Sequence, residues 1–234
     1  MERREFMTFC TGAAALALAP EALLGADGEP HFYGRTRLMD ELGQPIHAKS
    51  LAVNRNYVFP YPYQGTPCFL LRLDKPTDPE VKLETADKQP YVWSGGVGAD
   101  RAVVAYSAIC AHQLAYPTKQ VSFISFRDAP NQVYPRANVI TCCAQHSVYD
   151  PAQGAKVLSG PAPQPLCAII LEHDAKSDEL YAVGTYGGEM FKEFFRKYAF
   201  KLDLDHGRNV AQKPVGDTTV VADLTHYCRQ QIQC

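Results

Sequence analysis

Two short segments carry the residue types from which a metal site is built: Cys110-Ala111-His112 and Cys143-Ala144-Gln145-His146. Each offers one soft thiolate and one imidazole close together in the chain. Each follows a β-type run, Val103-Val104-Ala105-Tyr106 before the first and Val139-Ile140-Thr141 before the second. Two strand-end loops brought face to face would make a site of two sulfurs and two nitrogens. That donor set suits a structural zinc ion or a [2Fe–2S] cluster with two histidines on one iron. A disulfide between Cys110 and Cys143, with incidental histidines, would use the same residues. The tetrad alone leaves these readings open.

The residues that follow the second segment separate them. After His146 come Ser147-Val148-Tyr149-Asp150-Pro151, then Gly154, then Ser159-Gly160-Pro161-Ala162-Pro163 ahead of another apolar run. Proline fixes φ and stiffens a loop, so a third, rigid loop can cover a cluster held by two others. A zinc ribbon has no use for it. The pattern of Cys-x-x-His, Ser, aromatic, Asp-Pro and a Gly-Pro-Ala-Pro loop resembles the Rieske iron–sulfur family over roughly residues 100–185. The resemblance is weak before that stretch and absent after about 190.

What the resemblance implies is a [2Fe–2S] cluster, one per chain. Cys110 and Cys143 would supply thiolates to one iron, and His112 and His146 would bind the other. Ser147 and Tyr149 would donate hydrogen bonds to sulfur, and Gly160 and Pro161 would belong to the covering loop. It also implies a mainly β Rieske fold, an antiparallel β base domain with an inserted cluster-binding subdomain. The sequence departs from the respiratory members in three ways. The two cysteines that tie their ligand loops together would fall at Ala115 and Gln145. Ser147 follows His146 directly, one residue short. Thirty residues separate His112 from Cys143, more than usual.

The elements that must position these residues read as short β runs between turns. Candidates are 56–60, 68–73, 91–94, 102–108, 121–126, 138–141, 168–173 and 180–184, with a short strand near 218–222 and a final helical turn. Glu189–Phe200 is the exception. Met190, Phe191, Phe194, Phe195 and Tyr198 recur at helical spacing opposite Lys192, Glu193, Arg196 and Lys197. Residues 27–50 read as a linker or packed arm. The organisation expected is therefore a signal or anchor over 1–26, the linker, a Rieske domain over 51–187 with its cluster-binding part near 106–165, and a C-terminal helical extension over 188–234.

The N-terminus begins Met1-Glu2-Arg3-Arg4-Glu5-Phe6-Met7, which resembles a twin-arginine export motif, and continues as a 14-residue apolar run from Phe6 to Ala19. That length suits a signal better than a transmembrane span. Residues 6–24 could also remain as an inner-membrane anchor. The expected location is the periplasm. A net charge of −2 and the lack of a basic stripe exclude a nucleic-acid role. Of eight cysteines, Cys228 with Cys234 and Cys68 with Cys167 are the pairings an oxidising compartment would allow.

These readings describe an electron-transfer subunit rather than a stand-alone enzyme. The leading expectation is the iron–sulfur subunit of a quinol-oxidising cytochrome bc-type complex, with a cytochrome b/c-type redox partner and quinol as the electron donor. The alternative is the small subunit of an exported molybdenum oxidoreductase of the arsenite oxidase kind. A zinc-binding module is a third. A Rieske oxygenase would need a second iron held by two histidines and a carboxylate, and His31, His47, His173, His206 and His226 show no such spacing.

Overall fold

The computed structural model describes residues 29–234, so the expected signal or anchor lies outside the described residues. In chain order the elements are β1 (His31–Met39), β2 (Tyr57–Pro60), β3 (Pro67–Arg72), β4 (Val81–Glu84), β5 (Pro90–Trp93), β6 (Val103–Ser107), β7 (Val121–Ser122), β8 (Ile124–Arg127), β9 (Val139–Cys142), β10 (Ser147–Asp150), β11 (Lys156–Ser159), β12 (Ala168–His173), β13 (Leu180–Tyr186), α1 (Phe191–His206), β14 (Thr218–Val220), β15 (Ala222–Asp223), α2 (Leu224–Tyr227) and β16 (Gln230–Gln231). The protein is mainly β with one long helix near its C-terminus, as the sequence predicts. No helix among the described residues is long and apolar enough to cross a membrane.

Eight strands form the base sheet in the order β14-β1-β13-β12-β6-β3-β2-β15. All its pairings are antiparallel except β1 with β14. Because β14 and β15 are consecutive in the chain yet sit on opposite edges, the segment 218–223 closes the sheet on itself. Closure removes exposed strand edges. A second, four-stranded antiparallel sheet, β11-β10-β9-β8, is inserted between β6 and β12, which are neighbours in the base.

Strand periodicity explains the packing. Successive side chains alternate between faces. Leu70, Val103 and Ala105 therefore join Phe59, Ile169 and Ala182 in one core. Phe69, Leu71, Val104 and Tyr106 point the other way, onto Ile124, Phe126, Ile140 and Tyr149 of the inserted sheet. β3 and β6 are buried on both faces, which is why they read as continuous apolar runs. A third cluster packs Phe191, Phe194 and Leu202 of α1 against Ile109, Leu114 and Tyr116.

One reading needs correction. Residues 31–39, expected in a linker or arm, form a nine-residue strand inside the base sheet. Gly34 and the polar run Arg35-Thr36-Arg37 hid it. Thr36 and Leu38 nevertheless point inward while Arg35 stacks on Tyr181 with its guanidinium carbon 3.4 Å from the ring centre. The short strand expected near 218–222 is present, and it supplies the closing strands β14 and β15.

Candidate metal centre

Cys110 follows β6 at the start of a tight turn. The Leu114 N–H donates to the Cys110 carbonyl at 2.9 Å, and the Cys110 N–H donates to the Ala115 carbonyl at 2.9 Å. Leu114 takes a left-handed φ of 62° to close this loop, a conformation uncommon for a non-glycine residue. The second loop joins β9 to β10, whose hairpin pairs Cys142 with Ser147. Residues 143–146 make its tip, and His146 takes φ 61° there. The third loop seats against the second. A Cβ on Gly160 would lie 2.4 Å from the His146 carbonyl oxygen and 2.6 Å from the Ser147 Cα, so only glycine permits this approach. Asp150 and Pro151 set the entry to that loop. The Asp150 carboxylate accepts from the Ala152 N–H at 3.0 Å, and the Tyr106 hydroxyl donates to the Pro151 carbonyl at 2.7 Å.

The sulfurs are arranged differently from the expectation. Cys143 is bonded to Cys234 in a disulfide and has no thiol to offer. The sulfur facing Cys110 is that of Cys142, and both thiols are buried in the same core. Strand parity is the reason. Ile140 and Cys142 share the inward face of β9, whereas Cys143 lies beyond the strand end, half-buried, with its N–H donating to the Phe123 carbonyl at 2.6 Å. In this structure it is Cys142, not the expected Cys143, whose thiol meets Cys110. The signal was present in the sequence as the alternation of β9.

Donors converge on the Cys110 sulfur. The Cys142 thiol pulls the Cys110 thiol well below the usual range against the opposing effect of burial, and the Tyr149 hydroxyl and the N–H groups of His112 and Gln113 add to it. Cys142 is pushed up in turn, by Cys110 and by burial, although the N–H groups of Ala144 and Gln145 oppose this. The Tyr149 oxygen lies 3.3 Å from the Cys110 sulfur, and burial and Cys110 hold its proton on. Two buried polar atoms beside these sulfurs in the chain find no hydrogen-bond partner among the described residues, His112 Nδ1 and Ser147 Oγ. An unpartnered buried polar atom is costly. An imidazole nitrogen left so is suited to a metal, and a hydroxyl left so to an acceptor such as sulfide.

His112 is half-buried and His146 exposed. Among the described residues no group of three or more His, Cys, Asp or Glu side chains is gathered in metal-binding geometry. The structure thus brings together Cys110, Cys142 and Tyr149. It leaves His112 and Ser147 with unspent polar atoms, and it holds His146 at the tip of its loop beneath Gly160. The expected pairings of the other cysteines are also revised. Cys234 bonds Cys143 rather than Cys228, whose thiol donates to the Gln230 carbonyl at 3.0 Å, and the Cys68 thiol donates to the Tyr61 carbonyl at 3.0 Å.

No family model matches the chain. Among solved structures it is similar to the soluble domain of the Rieske protein II (soxF) from Sulfolobus acidocaldarius, with 27% identity, a TM-score of 0.45, and coverage of 67% of this chain and 82% of that one.

Proposed function

We propose that this protein carries one electron at a time through a Rieske-type [2Fe–2S] cluster held by Cys110 and Cys142 on one iron and by His112 and His146 on the other. The observation that supports this most directly is the Tyr149 hydroxyl at 3.3 Å from the Cys110 sulfur, with Cys142 facing it. A cluster bound there would supply a one-electron couple. The chain's own residues do the rest. Backbone N–H groups of both loops and the Tyr149 hydroxyl stabilise negative charge on the thiolates, and the unpartnered Ser147 hydroxyl would be free to donate to a cluster's sulfide. The unpartnered His112 Nδ1 is the ligand atom, which turns the opposite ring nitrogen away from the core, where it can accept a hydrogen bond from a reduced donor. Gly160 and Pro161 hold the covering loop against the His146–Ser147 backbone and limit water access.

His146 is the one imidazole on the second loop, and its left-handed backbone sets the direction in which the ring leaves the loop. With Cys142 as the thiolate, the one-residue displacement noted at Ser147 moves onto the spacing between thiolate and imidazole. We read the protein as the iron–sulfur subunit of a quinol-oxidising complex, exported by the twin-arginine route and held at the membrane by its N-terminus. A cytochrome that copurifies with it supports this reading, and a molybdenum subunit replaces it with the arsenite oxidase-like alternative. Cluster binding itself is tested by iron and sulfide analysis with low-temperature EPR of the reduced protein. Stoichiometric zinc without sulfide refutes it.

A further inference from the structure

The covering loop has few ties of its own. Pro161, Pro163 and Pro165 have no N–H to donate, and residues 160–166 form no backbone–backbone hydrogen bond among the described residues. Residues 159–163 lie at the surface, apart from the half-buried Ala162. The chain then turns inward at Gln164, which is 5% exposed. A buried amide needs partners, and Gln164 has one on each side. Its Oε1 accepts from the Ala86 N–H at 2.8 Å, and its Nε2 donates to the Gly188 carbonyl at 3.0 Å.

Both partners are shaped for this contact. Ala86 lies in the β4–β5 turn, which closes on itself: the Thr85 N–H donates to the Gln89 carbonyl at 3.0 Å, and the Lys88 N–H to the Thr85 carbonyl at 3.0 Å. The Ala86 N–H is left for an acceptor outside the turn. Gly188 is buried and seats the amide, since a Cβ there would lie 2.3 Å from Gln164 Oε1 and 2.5 Å from Nε2. Gly188 leads into α1, whose Phe191 and Phe194 pack on Ile109 and Leu114 around the first loop. At its other end the covering loop rests on the His146–Ser147 backbone through Gly160. Only Pro161-Ala162-Pro163 lies between Gly160 and Gln164. With φ fixed at two of these three residues, the segment is a stiff strut that passes on a shift at Gln164. Leu166, two residues further, is fully buried in the core that holds Cys110 and Cys142.

We propose that Gln164 is a positioning residue for the cluster: its amide bridge from Ala86 to Gly188 sets how closely the covering loop lies over the cluster, and so how much water reaches it. This inference rests on the cluster reading above. Without the bridge, the Ala86 N–H and the buried Gly188 carbonyl are satisfied only by water. That water enters beneath the loop.

The test compares the cluster-loaded full chain with two variants. Gln164→Met keeps the length of the side chain and loses both hydrogen bonds. Gly188→Ala pushes the amide off its seat. Thr36→Val is the control, because it removes a buried side-chain bond, from the Thr36 hydroxyl to the Gly216 carbonyl at 2.9 Å, in the base sheet. Deuterium ESEEM of the reduced cluster in D2O reads the water beside it, and iron release to bathophenanthroline reads its cover. Gln164→Met and Gly188→Ala should both deepen the deuterium modulation and release iron roughly tenfold faster than the parent, as expected for the loss of two hydrogen bonds. Exchange of the Ala86 amide should quicken in Gln164→Met. Thr36→Val should leave the cluster readings at parent values whatever it does to the Tm. Parent-like modulation and iron release in both loop variants overturn the proposal, and so does an equal change in Thr36→Val. A parent chain that binds no iron and sulfide removes the cluster reading itself, and this role falls with it.

Discussion

The Tyr149 hydroxyl bears on the reduction potential. A hydrogen bond to a ligand thiolate favours the reduced, more negative state. A bond to a charged sulfur contributes about 1.5 kcal/mol, and for a one-electron couple about 1.4 kcal/mol corresponds to 59 mV. Tyr149→Phe should therefore lower the potential by on the order of 60 mV, measured by film voltammetry. An unchanged potential would remove Tyr149 from the site. Ser147→Ala should act in the same direction. Most of these residues were legible because their types are rare in combination and closely spaced. The thiolate of the second loop was not. A Cys-x-x-His string specifies spacing alone, and Cys142 and Cys143 are adjacent. Which one faces inward is decided by the parity of β9, where Ile140 and Cys142 share a face.

Among elements, the C-terminal tail has the least expected role. β16 pairs in parallel with β7, which follows the first loop, and the Arg127 guanidinium donates to the Ile232 carbonyl. Beyond β16, Cys234 is bonded to Cys143 on the second loop. One tail thus ties both loop regions together, and no cysteine at Ala115 or Gln145 joins the loops directly. Nothing in the sequence selects a pairing across 91 residues. A cross-link of that span limits the unfolded chain, and its removal typically costs about 2–4 kcal/mol. Cys234→Ser should lower urea-unfolding stability by that amount and raise hydrogen exchange at the tail amides of Arg229, Gln230 and Ile232, which donate to the Lys119, Gln120 and Ser122 carbonyls. Unchanged exchange would mean that the tail holds without the bond. Gly160→Ala should also destabilise, because its φ of 89° and the 2.4 Å approach of the His146 oxygen leave no room for a methyl group. A melt with no loss of stability would show that the third loop moves aside freely.

For the whole molecule, the sheet closes through segments of weak sequence signal. The apolar strands β3, β6, β12 and β13 were legible because both faces are buried or nearly so, whereas β1 shows only Thr36 and Leu38 to the core. Surface ion pairs distribute the acid sensitivity. Burial alone would raise Asp100, Asp178 and Asp223. Arg72 and the Ala102 N–H outweigh it at Asp100, the Lys49 N–H and His173 at Asp178, and Thr225 and Arg55 at Asp223, so all three lie below the usual aspartate value of 3.8. A carboxylate lowered in the folded state contributes stability above its unfolded pKa and loses it as pH falls through the folded one. The urea midpoint should therefore fall slightly between about pH 7 and 5, where burial resists protonation of His206, and drop more steeply below about pH 4 as the three aspartates are protonated; a midpoint unchanged below about pH 4 would show these pairs to be without effect. The proposed cluster rests on the sulfurs of Cys110 and Cys142. Iron and sulfide analysis with EPR on Cys142→Ser and Cys143→Ser, purified side by side, tests it most directly. The expected result is about two iron and two sulfide per chain with a reduced-state EPR signal in Cys143→Ser, and neither in Cys142→Ser. Retention in Cys142→Ser with loss in Cys143→Ser would contradict it.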